Sequence, residues 1–478
     1  MMLDKRSFYI NGEWVQPTTP NDLEVINPSN EESCAVISLG DKADVDKAVS
    51  AARTAYLSWS ITPKEERISI LKKIYDVYMS KYDDIAHAIS LEMGAPISFA
   101  KEKQADTGKI HIETFINVLE NFDFERNFEN QNKDNKMIYE PIGVCALITP
   151  WNWPINQITL KVLPALAAGC TMVLKPSEIA PLSGMVFAEI LDEAKVPKGV
   201  FNLVNGTGEG VGRLLSGHPQ IEMVSFTGST RAGKDISKNA ADTIKRVTLE
   251  LGGKGANVVF SDCDEDAVKR GVRHVFDNSG QSCNAPTRMF VERKFYDTAI
   301  NMAKEVADNK KVDNSNVEGN HIGPVVSKIQ YDKIQDLIQS GISQGARLVS
   351  GGTDRPSNLN NGYFVKPTVF ADVNSDMRIF KEEIFGPVIS IIPFDNEEEA
   401  VKKSNDTSYG LTNYIQTQDK EKAQRLARQL KAGMIEINGL PLSNGAPFGG
   451  IKESGNGRER GEMGIEEFLE LKAISGWN

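Results

Sequence analysis

Hydrophobic residues follow different spacings in different parts of this 478-residue chain. Before Ala43, short apolar runs separated by polar residues predict strands and turns, and Asn11–Gly12 has the sequence of a tight hairpin. From Ala43 to Leu119, apolar residues recur at spacings of three and four, which predicts helices, one of which ends at Gly94. The N-terminal quarter is therefore predicted to pass from strands to a series of helices.

The next stretch, residues 120–140, is polar and aromatic with weak alternation. It predicts either an exposed linker or a β-hairpin that extends from the body of the protein.

From Gly143 onward, short apolar strands alternate with helical segments. GVCALI, TMVLK, FNLV and MVSFTG read as strands, and helical patterns such as LKVLPALAAG lie between them. A second region of this kind starts near Ala256 and includes ANVVF, RMFVE and VISIIPF. This succession is typical of βαβ units on parallel sheets. The sequence predicts an α/β protein with two α/β domains that meet close to Glu250–Gly253.

Composition narrows the choice of partners. The net charge of -11 argues against nucleic acid as the main partner, because phosphate neutralisation needs a basic surface. The longest uncharged stretch, Pro141–Leu160, carries three prolines and cannot form a spanning helix. No basic patch followed by an apolar core opens the chain, so we expect a cytoplasmic protein that binds no membrane.

Five cysteines occur at wide spacing, at positions Cys34, Cys145, Cys170, Cys263 and Cys283. The count is odd and no CxxC occurs, so neither a disulfide framework nor a metal site is predicted. A buried cysteine is usually a small hydrophobic residue. Only Cys283, in DNSGQSCNAPTR, has the small polar neighbours of a loop, which makes it a candidate nucleophile.

Two further polar residues lie where predicted strands end. Glu250 follows an alternating strand and precedes Gly252–Gly253, which allows a close backbone approach to a ligand. Asn152 lies in ITPWNWPIN, where a rigid amide could stabilise an oxyanion. A solvated glutamate at a strand end and an asparagine that caps a turn are the structural alternatives.

Glycine-rich turns after other strands suit a dinucleotide. VSFTGSTRAGK reads as strand, Gly-Ser and helix, so that a helix N-terminus can face a pyrophosphate. LKPSE places Lys175 and Glu178 where ribose hydroxyls could bind. NGTGEGVG is only a loose match to the dinucleotide fingerprint, and no acidic residue stands clearly at the expected distance.

Taken together, these motifs resemble the aldehyde dehydrogenase superfamily over nearly the whole chain, from INGEW to ELKAIS. PWNWP, KPSE, FTGS, LELGGK, GQSC, EEIFGP and PFGGIKESGNGRE occur in the order found in that family. The resemblance implies an NAD(P)-dependent oxidation of an aldehyde to a carboxylic acid, through a thiohemiacetal and a hydrolysed thioester. Such chemistry needs a nucleophile, an oxyanion donor and a base for the water.

The resemblance also implies roles for individual residues. Cys283 would be the nucleophile, Glu250 the base, Asn152 the oxyanion donor, and Lys161 a lysine near the base. NAD, preferred over NADP, would be bound by a larger set: Thr149, Trp151, Lys175, Glu178, Gly208, Phe226, Gly228, Ser229, Leu251, Gly252, Glu383 and Phe385. The substrate pocket would be lined by Trp153, Asn156, Leu160, Asp277, Ser282, Leu442 and Phe448. This set contains neither an aromatic cage for a quaternary ammonium nor an arginine for a carboxylate.

Three other functions compete with this one. A dehydrogenase that transfers the acyl group to coenzyme A would not need Glu250. A non-catalytic scaffold with this fold would be expected to lose Cys283, Glu250 or Asn152, and all are present. A reductase with a Tyr–Lys or histidine-based site has no support in the motifs.

The resemblance implies a Rossmann-like cofactor domain (residues 1–122 and 142–252), an α/β catalytic domain (253–457) and a small β extension (123–141 and 467–478). Two segments of the extension, Asp123–Glu140 and the tail after Glu467, read as exposed strands, and exposed strand edges need a partner. We therefore expect a homodimer or homotetramer in which the hairpin-like segment pairs with a neighbouring subunit.

Overall fold

A computed structural model describes residues 2–128 and 134–477. In these ranges the strands are β1 (Leu3–Lys5), β2 (Phe8–Ile10), β3 (Glu13–Val15), β4 (Asp22–Asn27), β5 (Glu32–Ser38), β6 (Glu125–Asn127), β7 (Asn135–Pro141), β8 (Val144–Ile148), β9 (Thr171–Lys175), β10 (Phe201–Leu203), β11 (Met223–Thr227), β12 (Arg246–Glu250), β13 (Ala256–Val259), β14 (Arg288–Glu292), β15 (Arg347–Ser350), β16 (Thr368–Ala371), β17 (Val388–Phe394), β18 (Thr412–Gln416), β19 (Met434–Ile437) and β20 (Leu469–Ser475). The helices are α1 (Lys42–Trp59), α2 (Lys64–Ser80), α3 (Tyr82–Met93), α4 (Ile97–Phe99), α5 (Asp106–Asn121), α6 (Pro154–Ala168), α7 (Leu182–Glu193), α8 (Arg213–Ser216), α9 (Thr230–Ala240), α10 (Ala267–Phe276), α11 (Tyr296–Asn309), α12 (Lys328–Ser343), α13 (Arg378–Lys381), α14 (Glu397–Asn405), α15 (Lys420–Gln429) and α16 (Gly461–Glu466).

Local sequence signals account for several of these boundaries. Asn11 and Gly12 join β2 to β3 with φ of 55° and 76°, as a two-residue hairpin turn requires. Gly94 caps α3 in the left-handed conformation. Both predictions are confirmed. One feature escaped prediction: Ala100–Ala105 forms a π-helical stretch that joins α4 to α5.

Two seven-stranded sheets form the body of the molecule. The first has the order β12-β11-β8-β9-β10-β2-β3, and its first five strands are parallel. The second has the order β15-β16-β17-β14-β13-β18-β19, and only β15 is antiparallel to its neighbour. The predicted α/β fold with parallel sheets is confirmed.

Both faces of each large sheet are buried. Along β8, Cys145 and Leu147 pack into one apolar cluster, whereas Ala146 and Ile148 pack into the cluster on the opposite face. This burial on both sides explains why these strands read as continuous apolar runs rather than as alternating ones. Because β8, β9, β11 and β12 are parallel, the residues that follow these strands lie at one common edge of the first sheet.

Residues 120–140, predicted to be either a linker or a β-hairpin, contribute two strands to a small antiparallel sheet. β6 and β7 form a hairpin, and β7 also pairs over its whole length with the C-terminal strand β20, from Leu469 to Ser475. Residues 129–133 of this segment lie outside the described ranges. The hairpin interpretation is correct, and one edge of β7 is covered by the same chain.

Over residues 2–128 and 134–477, no helix is both long enough and apolar enough to cross a bilayer.

Candidate active site

Cys283 lies on a loop that the second sheet holds against the first. Asn278 and Ser279, just before it, adopt left-handed conformations with φ of 53° and 56°. Non-glycine residues rarely adopt this region and keep it only when their surroundings impose it. A Cβ atom at Gly280 would lie 2.0 Å from the carbonyl oxygen of Gly386, so the loop is pressed against a neighbouring segment. The predicted loop setting of the cysteine is thus a rigid one.

Asn152 follows β8 and is fixed to the same loop. Its side-chain nitrogen donates to the carbonyl oxygen of Gln281 at 3.0 Å. Its own carbonyl oxygen accepts from the amides of Gln104 at 3.1 Å and Asn278 at 2.9 Å. An amide nitrogen carries two hydrogens. One hydrogen of Asn152 therefore remains for a further acceptor beside Cys283.

The thiol of Cys283 is protonated at rest. Burial raises its pKa to about 12, and the carboxylates of Glu383, Glu250 and Glu459 add to the shift. The thiolate is the nucleophilic form of cysteine. A proton must therefore leave Cys283 before it can attack, and this requires a base.

Glu250, the last residue of β12, is a buried carboxylate without a hydrogen bond. Neither oxygen has a partner in the described chain. Burial and the neighbouring Glu459 raise its pKa well above the ordinary value, while Lys161 and Arg458 oppose the shift. Its carboxylate lines a closed space of about 10 Å³, roughly the volume that one water needs. Unpaired buried carboxylates are costly, and they are found where function requires them.

Lys161 does not contact Glu250 directly but bonds to Glu459. The Lys161 ammonium lies 2.5 Å from a carboxylate oxygen of Glu459, and both side chains are buried. Glu459 was missed as a site residue, although it is the final residue of the PFGGIKESGNGRE motif. Glu250, Glu459 and Lys161 together form a buried group of two carboxylates and one cation.

A second cavity, of about 230 Å³, opens on the other side of Cys283. It joins the cysteine and Asn152 to seven residues predicted from the sequence and five that were missed. Those predicted for the cofactor are Trp151, Gly228, Ser229, Leu251, Gly252, Glu383 and Phe385, beside the missed Pro150, Gln157, Thr227, Gln330 and Lys333. The carboxyl ends of β8, β11 and β12 thus meet the loop before β17.

Close contacts fix the residues that line this second cavity. Glu383 accepts a hydrogen bond from the backbone N–H of Gly253 at 2.8 Å. A Cβ atom at Gly253 would lie 2.2 Å from the carbonyl oxygen of Cys283. Trp151 meets Phe385 edge to face, with ring centroids 5.4 Å apart. The segment that links the two sheets therefore fixes both the cysteine and the cavity wall.

Further predicted cofactor residues lie along the same edge of the first sheet. The buried Lys175 donates to the carbonyl oxygens of Pro176 and Gly206, each at 2.7 Å, and to Glu178 at 3.2 Å. Ser229 caps the N-terminus of α9. The remaining members show three kinds of setting: Thr149 has a buried hydroxyl without a partner, Phe226 packs under Gly228, and Gly208 faces open space.

Three of the predicted substrate residues form side-chain hydrogen bonds, two with each other and one with a histidine. Trp153 donates to the hydroxyl of Ser282 at 2.8 Å. Asn156 bonds through its side-chain oxygen to His111 at 2.8 Å. The rest vary in exposure: Leu160 is buried beside Glu250, Leu442 and Phe448 are half-buried, and Asp277 is exposed. His111 was missed, because a lone histidine on a helix carries no motif.

A metal is not suggested by these side chains. Among the residues that the structure describes, no group of three or more His, Cys, Asp or Glu is arranged to hold a metal ion.

Comparison with known proteins places this geometry in a family. The model of the aldehyde dehydrogenase family matches residues 14–474. A 3-succinoylsemialdehyde-pyridine dehydrogenase from a Pseudomonas species is 50% identical over 478 residues, covering 100% of this chain and 99% of the relative.

Solved structures agree. An aldehyde dehydrogenase from Bartonella henselae is 61% identical, with a TM-score of 0.99 and 100% of both chains covered. A mutant of aldehyde dehydrogenase C from Pseudomonas syringae, solved with NAD+ and octanal, is 46% identical. Its TM-score is 0.97, and the match covers 99% of this chain and 97% of that one.

Proposed function

We infer the roles of individual residues from the premise that this chain belongs to the aldehyde dehydrogenase family and oxidises aldehydes. Cys283 gives its thiol proton to solvent and attacks the aldehyde carbon as the thiolate. The oxyanion of the thiohemiacetal that forms accepts hydrogen bonds from the free amide hydrogen of Asn152 and from the backbone N–H of Cys283. The observation that carries this role is the position of Cys283, between Asn152 and the cavity of about 230 Å³.

Glu250 is the proposed base. Its raised pKa makes it a stronger proton acceptor than a solvated carboxylate. It faces the small space beside Glu459 rather than the larger cavity, so it reaches the thioester by rotation of its side chain. There it removes a proton from the water that opens the thioester, and Glu459 and Lys161 provide a buried route for that proton. Transfer of the acyl group to coenzyme A would not need a base for water, and so would not explain the buried carboxylate of Glu250.

The residues of the larger cavity fit a nicotinamide dinucleotide. The N-terminus of α9 behind Gly228 and Ser229 suits a pyrophosphate, and Glu383 and Phe385 would hold the nicotinamide half. Thr227 keeps a buried hydroxyl without a partner, available to a ligand. When bound, the nicotinamide supplies the hydride acceptor for the oxidation. Lys175 and Glu178 would hold the adenine-side ribose, and the Glu178 carboxylate would repel a 2′-phosphate, so we propose a preference for NAD over NADP.

We also propose a division of the chain into domains, which the two large sheets support. Residues 1–122 and 142–252 would form the cofactor domain, and residues 253–457 the catalytic domain. Residues 123–141 and 467–478 would form an extension for self-association, although residues 129–133 lie outside the described ranges.

Self-association as a dimer or tetramer is proposed from this extension. In the three-stranded sheet, β20 has its outer edge unpaired by any described strand, and Leu471 and Trp477 beside that edge are exposed. Such edges are commonly covered by another chain. Light scattering should give a multiple of the 52.6 kDa chain mass at micromolar concentration. A mass of one chain would contradict this proposal.

The role of Cys283 is tested by substitution. Cys283→Ala should lower the rate of NADH formation by about 10⁴-fold or more, since the covalent route is lost. Cys263→Ala, at another half-buried cysteine, is the matched control and should keep the wild-type rate. Near-normal activity of Cys283→Ala would refute the proposal.

A further inference from the structure

Arg460 is an arginine that forms no hydrogen bond or ion pair through its side chain with any described residue. Its guanidinium donates no hydrogen bond and has no carboxylate within 4.0 Å in the part of the chain that the structure describes, and its Nε atom is buried and unsatisfied. Arg458, two residues earlier, donates to the carbonyl oxygens of Gly450 and Gly457, each at 2.7 Å. A guanidinium has five N–H donors, and the one on Nε of Arg460 is buried without an acceptor, which is costly. Unlike Arg458, Arg460 therefore has donors that could bind an acceptor from a ligand.

The backbone directs Arg460 to one place. Phe448 and Glu459 pair in antiparallel fashion, with N–H to O distances of 2.8 and 2.7 Å. Arg460 follows with a left-handed φ of 70°, and its guanidinium lies over the ring of Phe448 at 5.0 Å. The next residue, Gly461, is so close to the loop before Phe448 that a Cβ atom would lie 2.1 Å from the carbonyl oxygen of Gly445. This packing restrains the backbone at Arg460, and the contact with Phe448 places its guanidinium.

The groups around Arg460 include Phe448 and Asn156, two residues expected to line the substrate pocket. Burial and the charge of Arg460 lower the pKa of His111 to about 3, so this imidazole is neutral. Its Nε2–H donates to the side-chain oxygen of Asn156, whose amide nitrogen forms no hydrogen bond in the described chain. Burial lowers the pKa of Arg460 itself, while Glu459, Cys283 and Glu436 oppose the shift. Arg460 is therefore within electrostatic reach of the nucleophile.

We propose that Arg460 and the amide of Asn156 form a recognition site for a carboxylate at the far end of the aldehyde, so that the preferred substrates are anionic semialdehydes. A planar guanidinium matches a carboxylate in a two-pronged hydrogen bond, and Phe448 beneath it keeps the fork in place. The proposal rests on Cys283 being the nucleophile, because that position defines which end of the substrate meets Arg460.

Glu436 is the carboxylate that shares this surrounding. It balances the charge of Arg460 without contacting it. Burial raises the pKa of Glu436, so it takes up a proton more readily than a solvated carboxyl when a second carboxylate arrives. A cationic aldehyde, by contrast, would be repelled by the nearby guanidinium of Arg460.

The first test compares two aldehydes of equal length, 5-oxopentanoate and pentanal. The wild type should prefer 5-oxopentanoate in kcat/KM. Arg460→Gln should lower that value about 50-fold for 5-oxopentanoate, mostly through KM, and change it less than about threefold for pentanal. Arg460→Lys should recover part of the loss, because the charge remains but the fork does not. Arg425→Gln, at an exposed arginine, is the control and should change neither value. Equal losses for both aldehydes, or a wild-type preference for pentanal, would overturn the proposal.

A binding experiment separates this proposal from the catalytic one. With saturating NAD, Cys283→Ala protein should bind glutarate more tightly than pentanoate in calorimetry, and adding Arg460→Gln should remove the difference. Equal binding of the two acids by the Cys283→Ala protein would refute carboxylate recognition at Arg460. If neither aldehyde is oxidised by the wild type while glutarate is still preferred, the proposed function fails and the carboxylate site stands.

Discussion

The proposed cofactor and substrate regions, on either side of Cys283, are built differently. The proposed cofactor residues follow the carboxyl ends of parallel strands. On the proposed substrate side, called the acyl side, the groups come from a helix, a loop and Arg460, whose backbone φ is positive. Glu383 is anchored by the backbone of Gly253, and Lys175 uses three acceptors. Across the cysteine, within the described residues, Arg460 donates no hydrogen bond and Asn156 uses only its oxygen. Glu383 and Lys175 on the first wall thus have hydrogen-bond partners before any ligand arrives, whereas Arg460 and Asn156 on the second keep unused donors.

This difference separates two tasks. A cofactor common to a family can be bound by backbone groups and strand ends, whose positions the sheet determines. A substrate that differs among relatives needs side chains that can be exchanged without changing the sheet. We therefore expect mutations on the cofactor wall to damage all substrates alike, and mutations on the acyl wall to discriminate between them.

Among the changes that test this comparison, the largest effect should come from the backbone contact that joins the two walls. A Cβ at position 253 would overlap the carbonyl oxygen of Cys283, so Gly253→Ala must displace the nucleophile. A misplacement of about 1 Å can cost about 100-fold in rate, and we expect at least that loss of kcat for every aldehyde. Gly212→Ala is the control, since its Cβ would make only ordinary contacts, the nearest at 3.7 Å. A selective loss for one aldehyde would break the comparison.

A smaller effect concerns the thiol that lies between the walls. With a pKa of about 12, the thiolate fraction of Cys283 rises tenfold for each pH unit across the neutral range. Alkylation of Cys283 in the ligand-free protein, followed by peptide mass spectrometry, should therefore accelerate about tenfold per unit from pH 7 to pH 9. A rate that levels off below pH 8 would show that the surrounding carboxylates do not hold the proton on the sulfur.

The smallest effect is expected at the far end of the cofactor wall. Glu178→Gln removes the charge that opposes a 2′-phosphate, and should raise kcat/KM for NADP relative to NAD about tenfold. Glu193→Gln, at an exposed glutamate of α7, is the control and should leave the ratio unchanged. A wild-type preference for NADP would contradict the assigned role of Glu178.

Sequence reasoning succeeded where local pattern determines structure. The hairpin at Asn11–Gly12 and the cap at Gly94 depend on backbone conformations that those residue types favour, and the parallel strands were legible as apolar runs. The segment 120–140 could not be decided, because β7 is completed by β20, more than three hundred residues later.

The candidate site was predictable to a similar extent. Residues that follow strands, such as Asn152 and Glu250, lie at the sheet edge where the motifs led us to expect them. Arg460 and His111 are different, because their setting depends on one left-handed φ and on contacts between distant segments. Residue spacing along the chain does not predict contacts between distant segments, so no arginine was included among the predicted substrate-pocket residues.

The central claim is that Cys283 forms a thioester which Glu250 then hydrolyses. Rapid mixing of Glu250→Gln protein with NAD and an aldehyde tests it most directly. The account predicts a burst of about one NADH per active site, followed by a steady rate lower than wild type by about 100-fold or more, with the acyl group recovered on Cys283 by mass spectrometry. An unchanged steady rate, or a burst with no acyl group on Cys283, would contradict it.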